Sequence, residues 1–310
     1  MGDAVKIGTR GSDLALAQAR LVAAHLEKRH HGLAAEIVPI RTKGDRMQNV
    51  SLVTIGGKGV FVKELEEALL SGDVDCAVHS MKDVPVELPE GLDIGAVPER
   101  EDPRDVLVSR GNRKIEELPK GARIGTGSLR RTTQLKNLLP DIEVVPIRGN
   151  LDTRIKKIET EGLDGIIVAA AGMKRMGWAG RISQFIPVEV MVPAAGQGVI
   201  GVEVRADDGR IRELVSFLNH PVTVTELSAE RAFLKHLGGG CQVPIACLAR
   251  VTRDSLVVKG LVGTINGAYI VADEVKGPAE KWEELGKSLA EIILSRGGKA
   301  ILDSVYRGLC

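Results

Sequence analysis

Apolar positions follow two alternating periods along the first two thirds of the chain. Residues 5–9 alternate as a strand does, and Ser12 then caps an amphipathic helix over 14–28. A second strand is expected at 36–40, a helix at 61–70 closed by Gly72, and a continuous apolar strand at 74–79 that leaves through Ser80-Met81-Lys82-Asp83. Pro85 and Pro89 keep the following stretch extended. The pattern restarts near Glu99, with strands at 105–109 and 123–126 and a helix capped by Ser128 that runs to Leu139. A strand at 142–147, a helix at 151–161 and a strand at 165–171 complete it. Strands and helices in strict alternation predict mostly parallel α/β sheets.

The last third has a different rhythm. A strand is expected at 199–205, a helix at 211–218, and a helix at 227–237 that stops at Gly238-Gly239-Gly240. Residues 245–275 alternate through turns at Arg253-Asp254 and Asn266-Gly267, an antiparallel meander of three strands, and helices at 279–294 and 300–307 close the chain.

Two segments echo each other in order. Ile7-Gly8-Thr9-Arg10-Gly11-Ser12 answers Ile124-Gly125-Thr126-Gly127-Ser128, with Gln18 and Gln134 each six residues after the serine. Val38-Pro39-Ile40-Arg41 answers Val145-Pro146-Ile147-Arg148. The echo predicts two similar lobes of the kind seen in two-lobed binding proteins, with a ligand cleft between them, followed by a small α+β domain. A length of 310 residues agrees with more than one core.

Charge and composition narrow the partners. The net charge is +1 and aromatics are 3% of residues, which argues against a nucleic-acid stacking platform or a basic membrane-binding surface. No apolar run approaches the ~18 residues of a membrane span, and residues 1–10 carry no apolar signal core, so a cytoplasmic protein is expected. The four cysteines form no C-x-x-C pair, so neither zinc nor a redox pair is indicated and free thiols are expected.

Arginines stand where stability alone would place acids. Arg10 precedes the first helix, Arg130 and Arg131 open the Ser128 helix, Arg148 precedes the 151–161 helix and Arg154 lies in its first turn. Planar guanidiniums at helix starts suit carboxylates or phosphates, and the absence of a G-x-x-x-x-G-K-[ST] loop favours carboxylates over nucleotide phosphates. Asp83 leaves a buried strand beside Lys82; such an aspartate closes a turn before Pro85 or accepts N–H bonds and stabilises positive charge. His79 reads as a packing residue. Cys241, on a turn between three glycines and Pro244, is either a small thiol after a helix stop or a presented, reachable nucleophile.

Six segments together resemble one family, the porphobilinogen deaminases. They are Val78-His79-Ser80-Met81-Lys82-Asp83-Val84-Pro85, Glu101-Asp102-Pro103-Arg104-Asp105, Gly127-Ser128-Leu129-Arg130-Arg131, Ile147-Arg148-Gly149-Asn150, Pro193-Ala194-Ala195-Gly196-Gln197-Gly198 and Gly239-Gly240-Cys241-Gln242-Val243-Pro244. The resemblance implies a monomer that builds a linear tetrapyrrole for haem synthesis. Porphobilinogen loses ammonia to leave a methylene-pyrrolenine cation, the terminal pyrrole attacks it, and after four rounds water releases hydroxymethylbilane. It implies a dipyrromethane cofactor held by a thioether to Cys241, with Asp83 as the catalytic carboxylate. Ser12, Lys82, Asp83, Thr126, Ser128, Arg130, Arg131 and Arg154 are implied to bind the cofactor. Arg10, Arg148, Arg154, Arg175, Lys58 and Gln18 are implied to bind substrate. It further implies domain 1 at 1–98 with 199–218, domain 2 at 99–198 and domain 3 at 219–310. The chain departs from the family's pattern at Thr54, where a lysine is frequent, and at Gly127, where a serine is.

Two other functions use some of the same residues. A two-lobed sensor would capture an anion without chemistry, and would need neither Cys241 nor Asp83. A thioester-forming transferase would need a base, and His236 is the histidine nearest to Cys241 in sequence.

Overall fold

The structure is a computed structural model that describes residues 4–42, 62–238, 243–253 and 255–309. The chain divides into two compact units, residues 1–101 with 198–224 and residues 102–197 with 225–310.

The first unit is built on a five-stranded sheet of order β2-β1-β3-β10-β4. β1 (Ala4–Arg10) runs parallel to β2 (Ala34–Ile40) and β3 (Cys76–Ser80), while β10 (Ile200–Arg205) is antiparallel to β3 and to β4 (Leu92–Ala96). α1 (Asp13–Arg29) and α6 (Gly209–Ser216) cover one face through Val22, Leu26, Ile211 and Val215. α2 (Lys63–Ser71) covers the other through Leu65 and Leu69. β3 reads as an unbroken apolar run because it is buried on both faces.

The second unit holds two sheets. One has the order β7-β6-β8-β5-β9. β6 (Arg123–Gly125) lies parallel to β7 (Glu143–Val145) and β8 (Gly165–Ala169), while β5 (Asp105–Ser109) is antiparallel to β8 and β9 (Gln184–Phe185). Position by position this order matches the first sheet, so the sequence echo marks a repeated topology. α3 (Leu129–Leu138) packs Leu135 on one face; α4 (Leu151–Thr160) and α5 (Ala170–Arg175) pack Ile155, Ile158 and Met173 on the other.

The other sheet is the expected meander of β11 (Ile245–Thr252), β12 (Ser255–Gly263) and β13 (Ile270–Pro278). α7 (Pro221–Leu237), α8 (Trp282–Ile293) and α9 (Lys299–Leu309) enclose its core around Phe233, Val258, Leu289 and Leu302. α7 and α8 approach closely at Gly286, where a Cβ would lie 2.5 Å from the Ala229 carbonyl oxygen.

Sequence periodicity and structure differ in two places. β4 and β9 are not anticipated: Gly95 interrupts the pattern of β4, and β9 has two residues. α7 starts six residues earlier than its apolar period, at Pro221. The cap is His220, whose Nδ1 accepts the Thr223 N–H at 3.3 Å, and histidine is not a residue that announces a cap. The expected turn at Asn266-Gly267 joins β12 to β13; Gly267 packs onto α3 and Asn137 Nδ2 donates to its carbonyl at 3.0 Å. Residues 102–197 and 225–310 cluster as one compact unit. Glu230 explains part of that union: its buried carboxylate accepts the Gly196 N–H at 2.6 Å and the Ala249 N–H at 2.9 Å.

Candidate functional site

In each α/β sheet the predicted residues emerge at the carboxyl ends of the parallel strands, the edge where open α/β sheets bind ligands. In the first unit Arg10 ends β1, and Ser12 caps α1 by accepting the Ala15 N–H at 3.3 Å. Gln18 is 4% exposed and its Nε2 has no hydrogen-bond partner among the described residues. β3 ends beside β1 and turns into a single 3₁₀ turn, Met81–Asp83, which carries Lys82 and Asp83. This turn is anchored by the Met81 N–H, which donates to the Val199 carbonyl at 3.0 Å. The buried Met81 side chain lies over Gly201, where a Cβ would meet its sulfur at 2.1 Å. Asp83 is half-buried, and its carboxylate makes no hydrogen bond or ion pair among the described residues.

Beneath that turn His79 is buried against Glu203, with Nε2 2.8 Å from Glu203 Oε2. Glu66 on α2 completes the group. Burial pushes its carboxyl above the usual range, Glu203 adds to this, and His79 opposes it.

In the second unit Thr126 and Ser128 follow β6. Thr126 is buried and its Oγ1 accepts the Ser128 N–H at 3.3 Å; Ser128 caps α3. Arg130 and Arg131, 4% and 5% exposed, converge on the fully buried Asp105. Arg130 Nη1 donates to Asp105 Oδ2 at 2.7 Å, and Arg131 Nε and Nη2 donate to Oδ1 at 3.0 and 2.7 Å. Gln197 Nε2 donates to the same Oδ1 at 3.0 Å. Burial alone would raise the Asp105 carboxyl, but Arg130 and then Arg131 overcome it and hold it far below the usual range. Two guanidiniums against one carboxylate leave one positive charge in excess, and Arg130 Nε is buried without a hydrogen-bond partner among the described residues. Periodicity missed this counter-ion because Asp105 reads as the start of a strand. The available signal was an acid directly preceding the apolar run 106–108.

Arg148 follows β7, half-buried, with no hydrogen bond or ion pair among the described residues. Arg154 Nε donates to the Gly149 carbonyl at 2.8 Å, which ties α4 to that loop. Arg175 ends α5. Next to it Lys174 lies 3.4 Å from Asp102, which Arg104 holds in a bidentate pair. Burial would raise Asp102, but the Arg104 hydrogen bonds lower it to about 2. Gly127 has a physical reason: a Cβ there would lie 2.6 Å from the Ile147 carbonyl oxygen. Lys58, Thr54 and Cys241 lie outside the described residues.

In the first unit the Asp83 carboxylate and Gln18 Nε2, and in the second unit the Arg148 guanidinium and Arg130 Nε, make no hydrogen bond among the described residues. Among the described residues no group of three or more His, Cys, Asp or Glu is placed to hold a metal ion, and no helix is long and apolar enough to cross a membrane. The fold is that of an α/β protein whose cationic and unpaired polar groups stand at the carboxyl ends of its parallel strands.

The family follows from comparison with known sequences. Residues 5–213 match the model of the porphobilinogen deaminase dipyromethane cofactor binding domain, and residues 224–295 match the porphobilinogen deaminase C-terminal domain. The porphobilinogen deaminase of Syntrophus aciditrophicus is 53% identical over 98% of this chain and 99% of its own. That of Geobacter metallireducens is 50% identical over 98% of this chain and 95% of its own. The chain belongs to the porphobilinogen deaminase family.

Proposed function

We propose that the protein is a transferase that deaminates four porphobilinogen molecules and joins them head to tail on a dipyrromethane primer, releasing hydroxymethylbilane and ammonia. The observation that carries this reading is the half-buried carboxylate of Asp83, without a partner among the described residues, on an anchored turn. When bound, the dipyrromethane supplies the nucleophilic pyrrole carbon on which the chain grows.

The protein's own residues supply the rest. Asp83 accepts the pyrrole N–H of the substrate and faces the positive charge left on it when ammonia departs. A fixed carboxylate there stabilises developing charge without reorganising. It is also placed to take up the proton lost when the new bond forms. Each porphobilinogen carries an acetate and a propionate. Arg10, Arg148, Arg154, Arg175, Lys58 and Gln18 hold the substrate's carboxylates and orient it. Ser12, Lys82, Thr126, Ser128, Arg130, Arg131 and Arg154 hold those of the primer, with Asp83 on its N–H groups and Cys241 as its thioether anchor. The single positive excess at Asp105 suits one further carboxylate. The three parts at 1–98 with 199–218, 99–198 and 219–310 keep these tasks separate in sequence.

The reading is of a cytoplasmic monomer acting on a small molecule, without nucleic acid or membrane, in line with the net charge of +1. A sedimentation mass of one chain is expected; a dimer mass would overturn the monomer.

The test is the intact mass of the denatured protein beside a Cys241→Ser variant. A mass excess of two linked pyrrole units in the wild type, absent from the variant, is expected. A wild-type chain that stays at its calculated mass after exposure to porphobilinogen, and releases no ammonia, overturns the function.

A further inference from the structure

The segment Pro193-Ala194-Ala195-Gly196-Gln197-Gly198 has no task in the proposed function, yet its glutamine is 1% exposed and reaches the buried arginine pair. Gln197 Nε2 donates to the Pro103 carbonyl oxygen at 2.6 Å and to Asp105 Oδ1 at 3.0 Å. Gln197 Oε1 accepts from Arg131 Nη2 at 3.4 Å. The amide thus donates to the anion and accepts from its cation. Turned over, it would set its oxygen against two acceptors, so one orientation fits.

The backbone that carries this amide is pinned on both sides of it in space. The fully buried Glu230 accepts the Gly196 N–H at 2.6 Å and, through its other oxygen, the Ala249 N–H at 2.9 Å. Gln134 of α3 pairs with Val192 in both directions, accepting its N–H at 2.8 Å and donating to its carbonyl at 3.0 Å. Arg130 Nη1 donates to the same carbonyl at 2.7 Å. Gln197 therefore meets the arginines from a fixed backbone.

The consequence lies in how Asp105 is shared. Arg131 gives Nε and Nη2 to Oδ1, while Arg130 gives Nη1 to Oδ2. A carboxylate facing a single guanidinium fork favours giving it both oxygens, which here would take Oδ2 away from Arg130. The further donor on Oδ1, from Gln197, holds the carboxylate in the shared orientation. The pair then keeps one positive charge in excess in an interior that screens it little. Arg130 Nε has no hydrogen-bond partner among the described residues.

We propose that Gln197 is a positioning residue for the Arg130–Arg131 pair: by keeping Asp105 shared between the two guanidiniums, it fixes Arg130 where its remaining donor and the excess charge meet a carboxylate of the primer. The inference rests on the proposed function, in which these arginines hold the primer's carboxylates.

The experiment uses the full chain purified from cells unable to make porphobilinogen. Porphobilinogen is added, and the gain of primer mass is followed in time for wild type, Gln197→Met, Gln197→Glu and Leu289→Ala. Gln197→Met keeps the length and removes the amide. Gln197→Glu keeps an acceptor for Arg131, but when ionised it loses the donor to Asp105 and cancels the excess charge. Leu289→Ala weakens the core of the β11–β13 sheet without touching the pair. Loading by Gln197→Met is expected to slow about tenfold, the ratio corresponding to one hydrogen bond to a charged group. Gln197→Glu is expected to load more slowly still. In loaded Gln197→Met, kcat is expected to fall with KM for porphobilinogen unchanged, because other residues hold the substrate. Leu289→Ala is expected to melt earlier but to load at the wild-type rate. The positioning role is overturned, while the function stands, if Gln197→Met loads as fast as wild type or raises KM alone, or if Leu289→Ala slows loading equally. Where Gln197→Met does not fold, wild-type loading by Gln197→Glu overturns it. If the wild type gains no mass and releases no ammonia, the proposed function is overturned, and this inference with it.

Discussion

Asp83 and Asp105 both sit at the carboxyl edge of a sheet, and their surroundings send them to opposite uses. Asp105 is enclosed and bound by Arg130, Arg131 and Gln197, so its charge belongs to the fold. Asp83 has no partner among the described residues, so its charge is available to a ligand. Asp83→Asn is therefore expected to lose turnover by about 100-fold or more. Its unfolding free energy is expected to stay within about 0.5 kcal/mol of wild type. A urea titration beside an assay of ammonia release checks both. Asp105→Asn is expected to behave in the reverse order of severity. It leaves two guanidiniums buried against a neutral amide, and breaking a buried pair costs about 3–5 kcal/mol. An Asp105→Asn protein as stable as wild type in urea would refute that account. Asp83 was legible in sequence because its motif is a local string. The role of Asp105 was not, because its partners lie 25, 26 and 92 residues away.

At the scale of elements, the strand-to-helix junctions do the positioning. Ser12 and Ser128 stop the chain from entering its helices too early, and each accepts an N–H that would otherwise lack a partner. Ser128→Ala is expected to destabilise the protein by about 1 kcal/mol, read from a urea midpoint. It is also expected to weaken substrate engagement, since the cap sets the first turn that carries Arg130 and Arg131. The neighbouring glycine makes a sharper case. Restoring the serine frequent in the family, Gly127→Ser, puts a Cβ against the Ile147 carbonyl. A backbone atom cannot rotate away as a side chain can, so a loss of about 1–3 kcal/mol is expected. A thermal melt of Gly127→Ser at or above the wild-type temperature would show that the 126–128 backbone relaxes. Local caps and periods gave most helices and strands, whereas Gly95 interrupts the pattern of β4, β9 has two residues, and both exist through pairing with β10 and β5.

For the whole molecule, stability should rise and then fall with pH. Asp102, Asp105 and Asp208 are held below the ordinary carboxylate range of 3.8. A group depressed on folding stabilises above its unfolded pKa and loses that contribution as pH falls through its folded pKa. Acid weakening is therefore expected to begin below about pH 4, with the Asp102 contribution lost as pH falls towards about 2. Glu66 works the other way. Its pKa is raised from 4.5, so its contribution is complete below that value and is lost as pH rises through the raised one. Glu66→Gln is expected to raise the melting temperature at pH 8 and leave it unchanged at pH 4. A variant that melts earlier at pH 8 would mean that the Glu66 charge is needed beside His79.

What the sequence determined alone is what short-range chemistry can encode. The order of strands and helices follows from apolar period, the caps from Ser12 and Ser128, the repeat from two ordered echoes, and the family from six local motifs. What only the tertiary structure decided is which charges remain available. Arg130 and Arg131 look equivalent to Arg148 in the sequence, yet the first two share an internal carboxylate and the third has none among the described residues. His79 meets Glu203 across the β3–β10 pair, and Tyr306 meets Gly238 from the far end of the chain. Such contacts join positions with no fixed separation, so they leave no period or motif behind. They are set by how the layers pack, and burial then decides which pairs are fixed and which groups are left for a ligand.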